Sequence, residues 1–165
     1  MAFNASAVSF TGVSGGSLML SGFFVPAHMT NFQGNGVLLN CGGLAPQVDF
    51  VDADAVVAST RIHFQSTQQE LSSLQGSIPQ SVQAYEQAAS AAGLSADQIG
   101  ALQTVDNSPN GGHCEFDEKD FVTGVQLMAD SFSAVMQGGN GQVNGVNVLN
   151  TVVGNEDLKF TGSSR

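Results

Sequence analysis

The sequence predicts a mixed α+β chain, with a helical middle over about 52–136 and glycine-rich, charge-free β or extended segments at both ends. Three observations predict it. The first 48 residues hold no Asp, Glu, Lys or Arg, and the first charge is Asp49. From Asp52 apolar residues recur at helical spacing. From Gly138 the chain again loses charge and gains glycine. The expected organisation is an uncharged β-rich or extended assembly arm (1–48), a helical region (49–137) and a glycine-rich β tail (138–165) within one structural domain. A chain of 165 residues is long enough to bury a hydrophobic core unaided.

In the first segment "AVSFTG" and "SLMLSGFF" flank "VSGGS", and "GVLLNCGG" follows "NFQGNG". β-Branched and aromatic runs punctuated by Gly and Asn read as short strands and turns. "GVSGGS" precedes an apolar, strand-like run rather than a helix with a Lys, which argues against a phosphate cradle. The chain is expected to hold no G-x-S-x-G nucleophile elbow, no H-E-x-x-H metal motif, no Walker loop and no dinucleotide fingerprint. Phe3, Phe10, Phe23, Phe24 and Phe32 lie in this uncharged segment, where no charge guards a sheet edge against another chain. The segment is therefore expected to be covered. It forms either half of the chain's own core or an assembly arm between subunits, docking by strand addition.

From Asp52 to Ile78 the positions Val56, Thr60, Phe64, Leu71, Leu74 and Ile78 predict a helix, with acids at its start where the dipole favours them. The β-branched residues between Ser59 and Ile62 weaken its beginning. Pro79 suits the first turn of a second helix, "PQSVQAYEQAASAAG", which Gly93 ends in a C′ position. Ser95 and Gln98 form a capping box before Ile99, Leu102 and Val105, predicting a third helix through "LSADQIGALQTV". Phe121, Val125, Met128, Phe132 and Val135 make the cleanest amphipathic stripe in the chain. Beyond it, Asn144-Gly145 between valines signals a hairpin and "VNVLNTVV" a strand. On this pattern both ends of the chain share one β-layer.

Fourteen acidic residues oppose four basic ones (Arg61, Lys119, Lys159 and Arg165), for a formal charge of -10. That balance argues against nucleic acid and anionic membranes as partners and favours cations or basic proteins. Only 11% of residues are charged, roughly half the usual share of about 25%. Charge is depleted at the cores of interfaces, so the composition suits a surface covered by copies of the chain or by subunits of a larger complex. A neutral, glycine-rich secreted or virion-like domain fits equally, and an extracellular or complex-associated setting is favoured. Cys41 and Cys114 form no CxxC pair; a disulfide and a pair of small buried hydrophobes both remain open. No stretch has the run of about 18 apolar residues that a transmembrane segment needs, and no basic residue precedes "SLMLSGFFVPA" as a signal peptide requires.

"DNSPNGGHCEFDEKDF", residues 106–121, concentrates the chain's chemistry. Val105 precedes Asp106, Gly112 sits at a sharp turn, Cys114 occupies a hydrophobic position, Phe116 follows, and Glu118 closes the run. With the helices predicted on either side, Ser95 to Met128 resembles an EF-hand. The resemblance implies calcium held by six to eight oxygens and closed by a carboxylate from the second helix. Counting back from Glu118 puts Gly112 at the family's turn glycine, but places Asn107, Pro109 and Gly111 at the early ligand positions. Starting from Asp106 restores Asp106, Ser108 and Asn110, with Asp117 closing the loop. A loop with one inserted residue reconciles the two registers, its ligands being Asp106, Ser108 or Asn110, the His113 carbonyl, Glu115 and Glu118. No second loop of this kind is found.

For catalysis, His113 and Cys114 would point apart in an extended segment, and a nucleophilic Cys would need His63 or His28 delivered from elsewhere. Both of those histidines lie among apolar neighbours and read as structural. A metal site using His63, His113 and Glu115 is the catalytic alternative. The expected function is a non-catalytic structural or assembly subunit of a homo-oligomer, filament or larger complex, with a calcium-dependent contact. A small calcium-binding regulatory module and a metal-assisted hydrolase follow in that order.

Overall fold

The segments "SFTGV", "GVLLN", "RIHFQ" and "QTVD" form four parallel strands, β1 (Ser9–Val13), β2 (Gly36–Asn40), β3 (Arg61–Gln65) and β4 (Gln103–Asp106). A two-residue strand, β5 (Asn150–Thr151), pairs antiparallel with β4, so the sheet runs β1-β2-β3-β4-β5. The computed structural model describes residues 8–71, 74, 76–116, 129, 133 and 150–155. The chain is thus mixed α and β, with strands from both ends in one sheet. The stripe from Phe121 to Val135 and the Asn144-Gly145 turn lie outside the described residues, apart from isolated positions.

The first crossover is helical, where strands were expected. It runs through α1 (Gly15–Met19), a π-helical turn (Leu20–Phe24), α2 (Val25–His28) and a 3-10 turn (Met29–Phe32). Leu20, Phe24, Val25, Met29 and Phe32 recur at helical spacing and pack into the core. With no charged face beside them, that period is hard to see. Pro26 has no N–H to give the Gly22 carbonyl, and that carbonyl accepts from Gln47 N–H instead, at 2.7 Å.

Two more expected helices are cut short by strands. α3 (Ala53–Ser59) stops at Thr60, whose backbone is extended, and β3 begins at the next residue. Ile62 and Phe64 alternate with Arg61, His63 and Gln65, and this period of two pairs with strands on both sides. The capping box at Ser95 forms as expected, with Ser95 N–H donating to Gln98 Oε1 at 2.9 Å. It opens α5 (Ala96–Leu102), but Gln103 to Asp106 leave the helix to become β4. α4 (Ser77–Ala91) carries Pro79 in its first turn and is closed by Gly93 at φ 85.

One hydrophobic cluster joins residues from each of the three crossovers between the parallel strands, among them Val25, Met29, Val56, Tyr85 and Ile99, to Val37, Leu39, Ile62, Phe64 and Val105 of the sheet. The parallel strands follow one another in chain order, and right-handed crossovers then place successive helices on the same face. Residues 8–48 supply β1, β2 and the first helices to this core in cis. The alternate strand positions Asn40, His63, Gln65 and Asp106 are polar and also buried. No described helix is long and apolar enough to cross a membrane.

Candidate active site

The parallel register aligns Val13, Asn40, Gln65 and Asp106 in one row at the carboxyl ends of β1 to β4. The turns leaving those strands therefore share one edge, where open α/β sheets place their ligands. Ser14 leaves β1, Cys41 leaves β2, Glu70 lies beyond β3 and His113 lies beyond β4.

Ser14 occupies the reversal from β1 into α1 at φ 49 and ψ -117. Its N–H donates to Asn40 O at 3.0 Å, and its carbonyl accepts from Ser17 N–H at 2.9 Å and Leu18 N–H at 3.2 Å. Ser17 Oγ donates to the same Asn40 carbonyl at 2.8 Å, while Asn40 Nδ2 donates to Gly12 O at 3.1 Å. The reversal is tight enough to require glycine at two neighbours. A Cβ on Gly12 would stand 2.6 Å from Ser17 N, and one on Gly42 would stand 2.7 Å from Ser14 O.

His113 lies between Ser14 and Glu70. Its Nε2 is 2.9 Å from Ser14 Oγ, and its Nδ1 is 2.5 Å from Glu70 Oε1. A carboxylate only accepts, so the tautomer that satisfies both contacts has Nδ1–H donating to Glu70 and Nε2 accepting from the serine hydroxyl. The Glu70 side chain is fully buried, whereas 26% of the His113 side chain is exposed. Solvent reaches the imidazole and not the carboxylate.

Several bonds hold this geometry. Thr67 Oγ1 donates to Gly112 O at 2.9 Å, Gln68 N–H to Pro109 O at 2.8 Å, and Gln68 Nε2 to Ser108 O at 2.8 Å. They lash the loop carrying Glu70 to the loop carrying His113. A disulfide between Cys41 and Cys114, with Cα atoms 5.4 Å apart, ties the second loop to the end of β2. That resolves the alternatives open for the two cysteines.

Beneath the edge, a hydrogen-bonded chain runs from the half-buried Thr104 through the buried His63 and Gln65 to Asp106. His63 Nδ1 lies 2.8 Å from Thr104 Oγ1 and Nε2 lies 3.1 Å from Gln65 Oε1, while Gln65 Nε2 donates to Asp106 Oδ2 at 3.0 Å. Burial lowers the His63 pKa from its ordinary 6.5, against the opposing pull of Gln65 and Asp106. Both ring nitrogens of the buried His63 are thus engaged by Thr104 and Gln65.

The residues singled out for calcium or metal are placed as follows among the described residues. Asp106 is buried, with Oδ1 accepting from Ser108 N–H at 2.8 Å and Oδ2 engaged by Gln65. Ser108 Oγ is buried without a hydrogen-bond partner among the described residues. Asn110 is exposed, Glu115 turns its Oε2 to Gly112 N–H at 3.0 Å, and Glu118 lies outside the described residues. Among the described residues, the metal-ligating side chains that converge are Cys41, His113 and Cys114, with ligand atoms within 4.8 Å of one another. His113 and Cys114 come together because Cys114 has φ 61, so their backbone is a turn rather than extended.

The chain matches no protein-family model, no curated protein and no solved structure. The chemistry of the site rests on its own geometry. Ser14 and Glu70 are absent from the residues the sequence suggested, and the expectation that the chain holds no G-x-S-x-G is corrected here. Gly12-Val13-Ser14-Gly15-Gly16 has the G-x-S-x-G spacing of a strand-to-helix elbow, hidden once residues 17–24 are read as strand. Glu70 has no local signal, since nothing in "STQQELSS" marks one acid as buried.

Proposed function

We propose that this chain is a serine hydrolase that transfers an acyl group from an ester or amide to water through Ser14. The observation that carries the reading is the unbroken relay from Ser14 Oγ through His113 to the buried Glu70 carboxylate. A nucleophile, a base and a group orienting that base are the components of this chemistry. Their chain order, Ser then acid then His, is the one used by hydrolases with such an elbow on a parallel sheet.

Ser14 Oγ attacks the acyl carbon as His113 Nε2 takes its proton, and Nδ1–H to Glu70 stabilises the imidazolium. His113 returns that proton to the departing alcohol or amine. Water, deprotonated by the same Nε2, then cleaves the acyl-serine, and the imidazolium returns that proton to Ser14 Oγ as the acid leaves. In such elbows the N–H of the residue after the nucleophile faces the developing oxyanion. Here that residue is the exposed Gly15, whose N–H opens a helix and has no intrahelical acceptor.

A fluorophosphonate probe is expected to label Ser14 of the wild type, and the chain is expected to hydrolyse activated esters. Ser14→Ala should abolish labelling and lower kcat by roughly 10^4-fold or more. A folded wild type that is neither labelled nor active on activated acyl esters would overturn the reading.

A second reading, a structural or assembly subunit, is supported by one apolar patch. Met19 and Phe23 are exposed one helical turn apart, and Val48 and Val51 are exposed on the strap hydrogen-bonded alongside. Met19, Phe23 and Val48 belong to the segment without Asp, Glu, Lys or Arg.

A further inference from the structure

Cys41, Cys114 and His113 bring two sulfurs and an imidazole together at the mouth of the site. While the sulfurs are bonded to each other they are not thiolates, and the trio cannot ligate a metal through them. We propose that reduction of this disulfide creates a binding site for a thiophilic divalent cation of the zinc class, and that the metal takes Nε2 of His113 away from Ser14. The inhibitory half of the proposal rests on the hydrolase reading; the metal-binding half does not.

A dithiol passes two electrons to the Cys41–Cys114 bond, each sulfur gains a proton, and the dithiol closes to its own cyclic disulfide. On meeting the cation, both thiols release those protons to solvent and bind as thiolates. Two thiolates neutralise a divalent charge, His113 supplies a third ligand, and water fills the open tetrahedral position.

Three observations favour this ligand set. A tetrahedral zinc holds its ligand atoms about 3.3–3.8 Å apart, within reach of three atoms already inside 4.8 Å of one another once the sulfurs separate. Glu70 already accepts from Nδ1 of His113, the arrangement by which a carboxylate orients a metal-bound histidine and leaves Nε2 for the ion. Ser14 Oγ stands at that same Nε2, so metal and serine compete for one lone pair. The net charge of -10 adds a field that attracts cations.

The test uses the full chain, reduced with a dithiol, desalted without air and titrated with zinc against a chromophoric chelator. One zinc ion is expected per reduced chain and none by the oxidised chain. Cobalt in its place should give thiolate-to-metal charge-transfer absorption. Cys41→Ser and Cys114→Ser should each lose the site, Glu70→Gln should weaken it by about 10–100-fold, and Ser14→Ala should keep it. Stoichiometric zinc should slow fluorophosphonate labelling of the reduced chain at least tenfold, with a chelator restoring it. A reduced chain that binds no zinc, folded or not, overturns the proposal, as does equal binding by the oxidised chain or binding that survives loss of both cysteines. Failure of the hydrolase reading shows separately, as an oxidised chain whose Ser14 goes unlabelled while the zinc titration is unaffected.

Discussion

Ser14 at φ 49 and ψ -117 sits in a region that costs an L residue about 1–3 kcal/mol, and the bonds to Asn40, Ser17 and Leu18 hold it there. His63 makes the opposite use of burial. Its pKa lies below the ordinary 6.5 because burial penalises the imidazolium more than Gln65 and Asp106 favour it. The unfolded chain therefore takes up a proton first as pH falls. The contribution to stability is complete above that ordinary value and is lost progressively below it, by at most about 1.4 kcal/mol per pH unit. Urea midpoints should fall between about pH 7 and pH 5, and less steeply in His63→Gln. Equal slopes in the two proteins would remove His63 as the cause. Of the single residues that matter, the sequence reading marks His113 and passes over Ser14, whose G-x-S-x-G spacing it does not register. Glu70 is invisible, because a buried acid differs from an exposed one only in what folds over it.

The turn from β1 to α1 depends on Gly12 as much as on Ser14, since a methyl group there meets the backbone of Gly16 and Ser17. Gly12→Ala should destabilise the chain by about 1–3 kcal/mol, read from its urea midpoint. It should also slow labelling of Ser14 in the fraction that remains folded. An unchanged midpoint and labelling rate would show that the turn gives way freely. At this scale the sequence is most legible where a local rule acts alone, as at the Ser95 capping box and the Gly93 terminus. It misleads where two periods overlap. Residues 53 to 65 carry a short helix and then a strand, and Val56, Thr60 and Phe64 continue a helical spacing across the break. In residues 15 to 32 the helix lacks the polar stripe by which such elements are recognised, because Gly15, Gly16, Met19 and Phe23 stand at exposed positions where charges would.

For the molecule as a whole, a mixed fold was legible from composition and punctuation, and the parallel order of the strands was not. Pairing between β1, β2, β3 and β4 joins residues up to dozens of positions apart, which no local pattern records. The apolar patch at Met19 and Phe23 gives the assembly reading its own measurement. If copies associate through it, the wild type should elute well above 17.0 kDa on a sizing column, and Phe23→Ser with Met19→Ser should return it to the size of one chain. A wild type that stays monomeric at high concentration would end that reading.

The Cys41–Cys114 bond spans 73 residues, with α3, β3, α4, α5 and β4 lying between its ends. Pulled from its termini, the oxidised chain can pay out only the segments outside that loop. Roughly 250 Å of contour, the extended length of the bridged residues, stays hidden from the load until the bond is cut. The disulfide thus divides the polypeptide into stretchable ends and a middle that tension along the chain cannot lengthen.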